Sequence, residues 1–200
     1  MELTAHSPQP MAGIKNGTLG ADNTSTVHAF FEEAPLSTEE IARLVDDTGW
    51  SAEFSWEQIA TLAKYCGAYY VLADTILLRE GDSDRFLCLV TEGRVRIVKE
   101  EGFGQEPHVI ATLGPGQAFG EMALIDAEPR SATVVAATDT TLVRLSIGEF
   151  DRLLSEDPHL GIALLTKIAR LMSQRLRQTS GRLVEALEAM DTCLIAKRPQ

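Results

Sequence analysis

Residues 116–133 read GQAFGEMALIDAEPRSAT and interrupt a regular run of short apolar segments. The part between Phe119 and Pro129 has the spacing of a short helical turn, although strand-like segments lie on both sides of it. A helical insertion of this kind is unusual in an antiparallel sheet. The segment is therefore the first candidate for a functional site.

Several groups within 116–133 suit a phosphorylated sugar. The N–H groups that follow Gly120 open a helical turn, and such groups bind anions because they lack acceptors within the helix. Glu121 is placed to accept from a sugar hydroxyl, Arg130 to pair with a phosphate, and Ser131 to donate its hydroxyl. Taken singly, such residues are usually solvated surface groups. Together, at this spacing and within a sheet, they favour a ligand site.

Short strands are predicted on both sides of this segment. Turns at Gly81, at Gly93, around Gly102 and Gly104, and at 114–116 separate them. The predicted strands are 75–78, 86–91, 95–98, 109–113, 133–136 and 141–145. Their even spacing indicates an antiparallel sandwich or barrel.

The residues before the strands divide into a tail and a helical region. Residues 1–27 are rich in Gly, Ser, Thr, Asn and Pro, which predicts a disordered tail. Residues 28–54 form an acidic helical extension with a capping box at 37–40. A second capping box, at 55–58, opens a helix that Gly67 is expected to end, and it begins the strand-bearing domain over 55–157.

Helices follow the strands. Ser146 and Glu149 form a third capping box, and Asp157 with Pro158 predicts the start of a long helix over 158–192. Apolar or small residues recur along it with the spacing of a coiled-coil seam: Ile162, Leu165, Ala169, Met172, Leu176, Thr179, Leu183, Ala186 and Met190. A second stripe consists of Leu164, Ile168 and Leu171. One stripe is expected to pack on the sheet and the other to join a parallel homodimer, unless the whole helix packs on its own domain.

The segment 116–133 resembles the phosphate-binding cassette of the cyclic-nucleotide-binding domain family. Residues 76–98, ILLREGDSDRFLCLVTEGRVRIV, match the strand-turn pattern of that family, and the resemblance covers roughly 55–185. It implies that Glu121 binds the ribose 2′-hydroxyl and that Arg130 binds the exocyclic oxygens of the cyclic phosphate. Backbone N–H groups around Gly120 and Glu121, together with Ser131, complete the implied phosphate shell.

The long helix extends the resemblance. Residues 172–183, MSQRLRQTSGRL, resemble the dimerisation helix of the bacterial catabolite activators within that family. This implies that Thr179 contacts an adenine together with Ser180 of the opposite subunit, unless Thr179 only forms a polar layer in the seam. Cyclic AMP is therefore the expected ligand, with cyclic GMP as the other candidate. The predicted ligand-binding residues are Phe119, Gly120, Glu121, Met122, Arg130, Ser131, Ala132, Thr179 and Ser180.

The expected fold class is α+β: an antiparallel β-roll, or double-stranded jelly roll, with flanking N-terminal helices and a long C-terminal dimerisation helix. Seventeen residues follow Leu183, too few for a helix-turn-helix, so no DNA-binding domain is expected. The net charge of −11 also disfavours nucleic acid and anionic lipid as partners. The basic residues of the long helix are expected to form a solvated face: Lys167, Arg170, Arg175, Arg177 and Arg182.

No catalytic, metal or cofactor site is expected. The cysteines are scattered and lack metal spacing, and only His108 lies within the strand pattern, which disfavours a cupin-type metalloenzyme. No apolar run approaches the ~20 residues of a membrane helix, and residues 1–20 contain no signal core, so the protein is expected to be cytoplasmic. The expected function is a cyclic-nucleotide-binding regulator that signals to an unidentified protein partner through its C-terminal helix. The alternative is a non-catalytic adaptor with a silent nucleotide pocket.

Overall fold

The computed structural model describes residues 32–99 and 108–196, with side chains as far as Met190. The tail predicted over 1–27 and the turn predicted around Gly102 and Gly104 lie outside the described residues. Within them the elements are, in chain order, β1 Glu32–Glu33, α1 Thr38–Asp47, α2 Trp56–Ala63, β2 Gly67–Val71, β3 Ile76–Leu78, β4 Phe86–Glu92, β5 Val95–Lys99, β6 His108–Leu113, β7 Ala118–Phe119, α3 Glu121–Asp126, β8 Thr133–Ala136, β9 Thr140–Ser146, α4 Ile147–Glu156 and α5 Pro158–Ala196.

The strands form two antiparallel sheets, which confirms the predicted double-stranded β-roll. The five-stranded sheet has the order β1-β2-β9-β4-β7, and the four-stranded sheet has the order β3-β8-β5-β6. All six predicted strands are present within one residue of their predicted bounds. Three strands were not predicted: β1, β2 and β7. Two residues carry too little alternation for β1 and β7 to register as strands, and the sequence pattern assigns the start of β2 to the end of the preceding helix.

Alternation along β4 explains how the five-stranded sheet is buried on both faces. Phe86, Cys88 and Val90 face the core between the sheets, whereas Leu87 and Leu89 face the helices. The second core contains apolar residues of α1, α2, α4 and α5. A strand buried on both faces reads as a continuous apolar run, and this is the pattern of FLCLV in the sequence.

The capping boxes predicted at 37–40 and 55–58 are both present. The third is only half formed. Ser146 Oγ accepts from the N–H of Glu149 at 3.3 Å, but the Glu149 carboxylate accepts from Arg152 Nη1 at 3.0 Å instead of returning to the cap.

Gly67 does not end α2, so that prediction was wrong. The helix ends at Ala63, and Lys64 caps it in the ordinary right-handed conformation, which any residue adopts. Gly67 instead opens β2. A Cβ at this position would lie 3.0 Å from the ring of Tyr69, so the glycine leaves room for that ring.

The helix α5 carries two apolar stripes. One is buried, and the other is largely exposed, although its Leu165 and Met172 pack at the edge of the core. Asp157 Oδ1 caps the helix by accepting from the N–H of Leu160 at 3.0 Å. Leu160, Leu164 and Ile168 are buried against the β-roll. Much of the predicted seam is exposed, including Ile162 at 60%, Leu176 at 69%, Leu183 at 60% and Met190 at 62%. The alternative in which the whole helix packs on its own domain therefore does not hold. Within the described part of the chain, none of the helices is long and apolar enough to cross a bilayer.

Candidate functional site

Main-chain hydrogen bonds hold Arg130 at the end of the loop between α3 and β8. The N–H of Arg130 donates to the carbonyl of Asp82 at 2.8 Å, and the N–H of Gly81 donates to the carbonyl of Arg130 at 2.9 Å. Gly81 has a φ of 85°, which favours glycine. The turn between β3 and β4 thus fixes the backbone from which the Arg130 side chain enters the β-roll.

The guanidinium of Arg130 is buried, and one of its edges has no partner. The residue is only 4% exposed. Its Nη1 donates to the carbonyls of Gly120 at 3.0 Å and Phe86 at 3.2 Å. Its Nε and Nη2 are buried without a hydrogen-bond partner among the described residues. These two N–H groups form the edge of a guanidinium that binds two oxygens of one oxyanion.

The charge on Arg130 is not neutralised by an adjacent carboxylate. Burial is the largest influence on the pKa of Arg130 and lowers it. Weaker Coulombic effects raise it, first that of Cys88 and then those of Asp84, Asp82 and Glu121. Within the described residues, none of the ion pairs includes Arg130. A buried cation with two unsatisfied donors is costly, and an anion at that edge would offset the cost.

Gly120 lets the chain pass close to Arg130. It precedes α3 with a φ of 83°, and no side chain caps the helix. A Cβ at this position would lie 2.5 Å from the carbonyl oxygen of Phe86 and 2.9 Å from Nη1 of Arg130. Any side chain here would therefore both strain the backbone and displace the guanidinium.

Glu121 is buried and bound by the C-terminal helix. It is 4% exposed, and its Oε1 accepts from Arg175 Nη1 at 2.5 Å. Arg175 Nη2 also donates to the carbonyl of Ala118. Sequence reasoning missed this contact. The sequence did contain one signal for it. Arg175 lies four residues before Thr179, and this spacing places both residues on nearly the same face of the helix.

The solvated face that the sequence predicted for the basic residues of α5 is present only in part. Arg170, Arg177 and Arg182 are exposed, whereas Lys167 and Arg175 are half-buried. Lys167 and Arg170 both bind Glu53, at 2.6 and 2.5 Å. Arg182 donates to the carbonyl of Ile110 at 3.3 Å. With Arg175, four of the five basic residues therefore contact other elements, because α5 lies against acidic and carbonyl groups of the loop after α1, the cassette and β6. Arg177 binds Ser173 within the helix.

The other predicted site residues lie at different depths. Ser131 is exposed, and its Oγ lies 3.6 Å from the sulfur of Met122, which is also exposed. Ala132 is half-buried. Phe119 is buried in the core between the sheets.

Thr179 and Ser180 are exposed on α5, one helical turn beyond Arg175. The structure thus brings Gly120 into contact with Arg130, and it joins Glu121, the next residue in the chain, to α5 through Arg175. The contact of Thr179 and Ser180 with a base stays a prediction.

The cysteines and acidic groups form no second site in the described residues. Burial raises the pKa of the Cys88 thiol, in the core between the sheets, to about 12, and it does the same for Cys66. Among the side chains that the structure describes, no three His, Cys, Asp or Glu residues lie close enough together to hold a metal ion.

Comparison with known proteins gives a consistent result. Residues 70–157 match the family model described as the cyclic nucleotide-binding domain. The chain is 38% identical over 99 residues to the cyclic AMP receptor protein of Thermus thermophilus, a match over 50% of this chain and 44% of that protein. It is 40% identical over 90 residues to a cyclic nucleotide-gated potassium channel of Mesorhizobium japonicum, a match over 45% of this chain and 23% of the channel. The chain thus spans less than half the length of these relatives.

The fold is also similar to solved structures. A cyclic nucleotide-binding domain from Methylobacillus flagellatus superposes with a TM-score of 0.65 at 33% identity, over 74% of this chain and 83% of that one. The matched family model includes both the turn that holds Arg130 and the cassette that contains Glu121.

Proposed function

Because the chain belongs to the cyclic nucleotide-binding domain family, we propose that it is a regulatory receptor for a cyclic mononucleotide, with cyclic AMP as the preferred ligand. The observation that supports the proposal most directly is the unpartnered edge of Arg130. A cyclic phosphate carries one negative charge and two exocyclic oxygens. Those oxygens match the buried Nε and Nη2 donors in number and charge.

Glu121 supplies the proposed recognition of the sugar. Its Oε1 is bound by Arg175, and a carboxylate accepts at both of its oxygens. A ribose 2′-hydroxyl that donates to this carboxylate adds to or replaces the bond from Arg175. In either case, occupancy of the site changes the contact between the cassette and α5. A ligand shifts a conformational equilibrium only through such differential contacts.

The exposed seam of α5 supports the proposed homodimer. A parallel pairing would cover Leu176, Leu183 and other apolar residues of the seam. It would also bring Thr179 of one subunit and Ser180 of the other to the base, which favours adenine. Cyclic GMP is the second candidate ligand.

The output in this proposal is regulatory and not catalytic. The relatives include a receptor protein and a channel. The same type of domain therefore occurs in proteins with different outputs. The partner of this chain would be a protein that responds to the position of α5. The absence of nucleic-acid binding and the cytoplasmic location stay predictions.

The test is calorimetric titration of the full chain with cyclic AMP, cyclic GMP and cyclic di-GMP. Arg130→Lys keeps the charge but loses the paired edge, so affinity should fall about 100-fold. Arg94→Ala is the control. This exposed arginine follows the C-terminal end of β4, whereas Arg130 contacts Phe86 at the N-terminal end of that strand. If the folded wild-type protein binds none of the three ligands, the receptor proposal fails and the adaptor alternative leads.

A further inference from the structure

Four side chains form a stacked row that begins at Arg130 and continues along one face of the five-stranded sheet, over β4, β9 and β2. The Cζ atom of Arg130 lies 4.4 Å from the centroid of the Phe86 ring. The Cζ atom of Arg144 lies 5.4 Å from the same centroid and 4.3 Å from that of Tyr69. Arg144 Nη2 also donates to the hydroxyl of Tyr69 at 2.7 Å. We refer to these residues as the Arg130–Phe86 row.

The register of the sheet explains why these residues meet. Arg144 of β9 lies opposite Gly67 of β2 and Cys88 of β4. Phe86 and Tyr69 are each two residues from one of these positions, so both project from the same face as Arg144. Gly67 has no side chain in the way, and the ring of Tyr69 occupies that space.

The row restricts the orientation of the Arg130 guanidinium, which its hydrogen bonds alone do not fix. The Nη1 atom donates both of the hydrogen bonds that the guanidinium makes to main-chain carbonyls. These bonds fix the position of Nη1 but leave the plane of the guanidinium free to rotate about it. The ring of Phe86 is a second constraint, because an aromatic face attracts a guanidinium and restricts its plane. The buried Nε and Nη2 are then held in one direction without a hydrogen bond. A donor pair that is fixed in advance loses less entropy when it binds an anion.

We propose that Phe86 and Arg144 are positioning residues, which set the orientation of Arg130 before an anion arrives. Phe86 acts through its ring, and Arg144 acts by holding that ring while Tyr69 holds Arg144. This inference rests on the proposed function only in assigning the anion as a cyclic phosphate. The orientation of Arg130 itself is a property of the protein without ligand.

The first arm of the test therefore uses the ligand-free protein. The Nε–Hε signal of Arg130 is assigned in ¹H–¹⁵N spectra by its loss in Arg130→Lys. A ring this close shifts the signal, so Phe86→Leu should move it towards the value of a free arginine, whereas Phe86→Tyr should keep it. Arg144→Gln should produce a smaller shift in the same direction as Phe86→Leu.

The second arm measures the dissociation constant for cyclic AMP. Phe86→Leu should weaken binding about tenfold, because the guanidinium is then no longer oriented before the anion binds, and Phe86→Tyr should leave the affinity unchanged. In an Arg130→Lys background, Phe86→Leu should have no further effect. Phe150→Leu is the matched control, because it removes the same atoms from a buried position in the other core.

The two arms separate failure of this inference from failure of the receptor proposal. An unmoved Arg130 signal in Phe86→Leu overturns the positioning role even if cyclic AMP binds. Equal weakening by Phe86→Leu and Phe150→Leu also overturns it, since the cause would be general destabilisation. A shifted signal in a protein that binds none of the nucleotides supports the positioning role and removes the proposed ligand.

Discussion

Arg175 of α5 donates from Nη1 to Oε1 of Glu121 at 2.5 Å, and this ion pair joins the C-terminal helix to the carboxylate predicted to bind a sugar. A second connection lies nearer the start of the helix, where Glu53 binds Lys167 and Arg170. The first half of α5 is therefore attached to both the N-terminal region and the cassette. Only the cassette connection involves a predicted ligand group, so it is the connection that a ligand would change.

Removing the cassette connection should loosen the helix beyond it. In Arg175→Gln without ligand, amide exchange over 176–190 should become about fivefold faster, equivalent to about 1 kcal/mol, because a partly buried ion pair is lost. Hydrogen exchange with mass spectrometry measures this change. Arg177→Gln is the control, since the Nη1 of Arg177 donates to Ser173 Oγ within α5 itself. Equal exchange in the two variants would show that Arg175 does not hold the helix.

Gly120→Ala should affect both stability and binding. The left-handed conformation costs an alanine about 1–2 kcal/mol, and the added Cβ would lie 2.9 Å from Nη1 of Arg130. We expect a lower free energy of unfolding in urea and at least tenfold weaker binding of cyclic AMP.

Gly148→Ala is the matched control for Gly120→Ala. Gly148 lies in α4, and a Cβ there meets nothing within 4 Å. Alanine is preferred over glycine in a helix by up to about 1 kcal/mol, so this variant should be slightly more stable and bind normally. If Gly120→Ala behaved like Gly148→Ala, the close approach to Arg130 would have no consequence.

The buried thiols predict a loss of stability at alkaline pH. Burial raises the pKa of Cys88 from 9.0 in the unfolded chain to about 12 in the fold. The unfolded chain therefore loses this proton first, so the contribution of the thiol to stability is complete below pH 9 and falls as the pH rises towards 12. Urea unfolding at pH 8 and pH 10.5 measures the change. Cys88→Ala should reduce the pH dependence, and an identical dependence in both proteins would contradict the assignment.

The parts of the fold and site that the sequence predicted are those with local signals. Six of the strands, the caps at Ser37 and Ser55, and the helical turn between Phe119 and Pro129 follow from spacing within a few residues. The ligand roles of Glu121 and Arg130 stay predictions. The contacts that were missed join distant positions. Arg175 and Glu121 are 54 residues apart, and Lys167 and Glu53 are 114 apart.

The nature of each side chain did not reveal these distant partners. A basic residue on an amphipathic helix has the same local signature whether it faces solvent or a buried carboxylate. The prediction that Gly67 ends α2 was wrong for a related reason. Its neighbours indicate a helix end, while its actual role depends on the ring of Tyr69, which packs over it after the sheet has formed.

Charge on the exposed seam should separate the proposed homodimer into monomers. Leu183 is 60% exposed on α5, and Leu183→Glu places like charges opposite each other in a parallel pair. Sedimentation velocity should give twice 21.8 kDa for the wild type and 21.8 kDa for the variant.

The matched control for Leu183→Glu is Gln178→Glu, which adds the same charge at an exposed position off the seam and should leave the dimer intact. The two variants also test the predicted contact of Ser180 with the base across the dimer. If that contact forms, Leu183→Glu weakens cyclic AMP binding and Gln178→Glu does not, because only the first removes the opposite subunit. A wild-type protein of 21.8 kDa at micromolar concentration would contradict the dimer and leave Thr179 to contact the base from its own subunit alone.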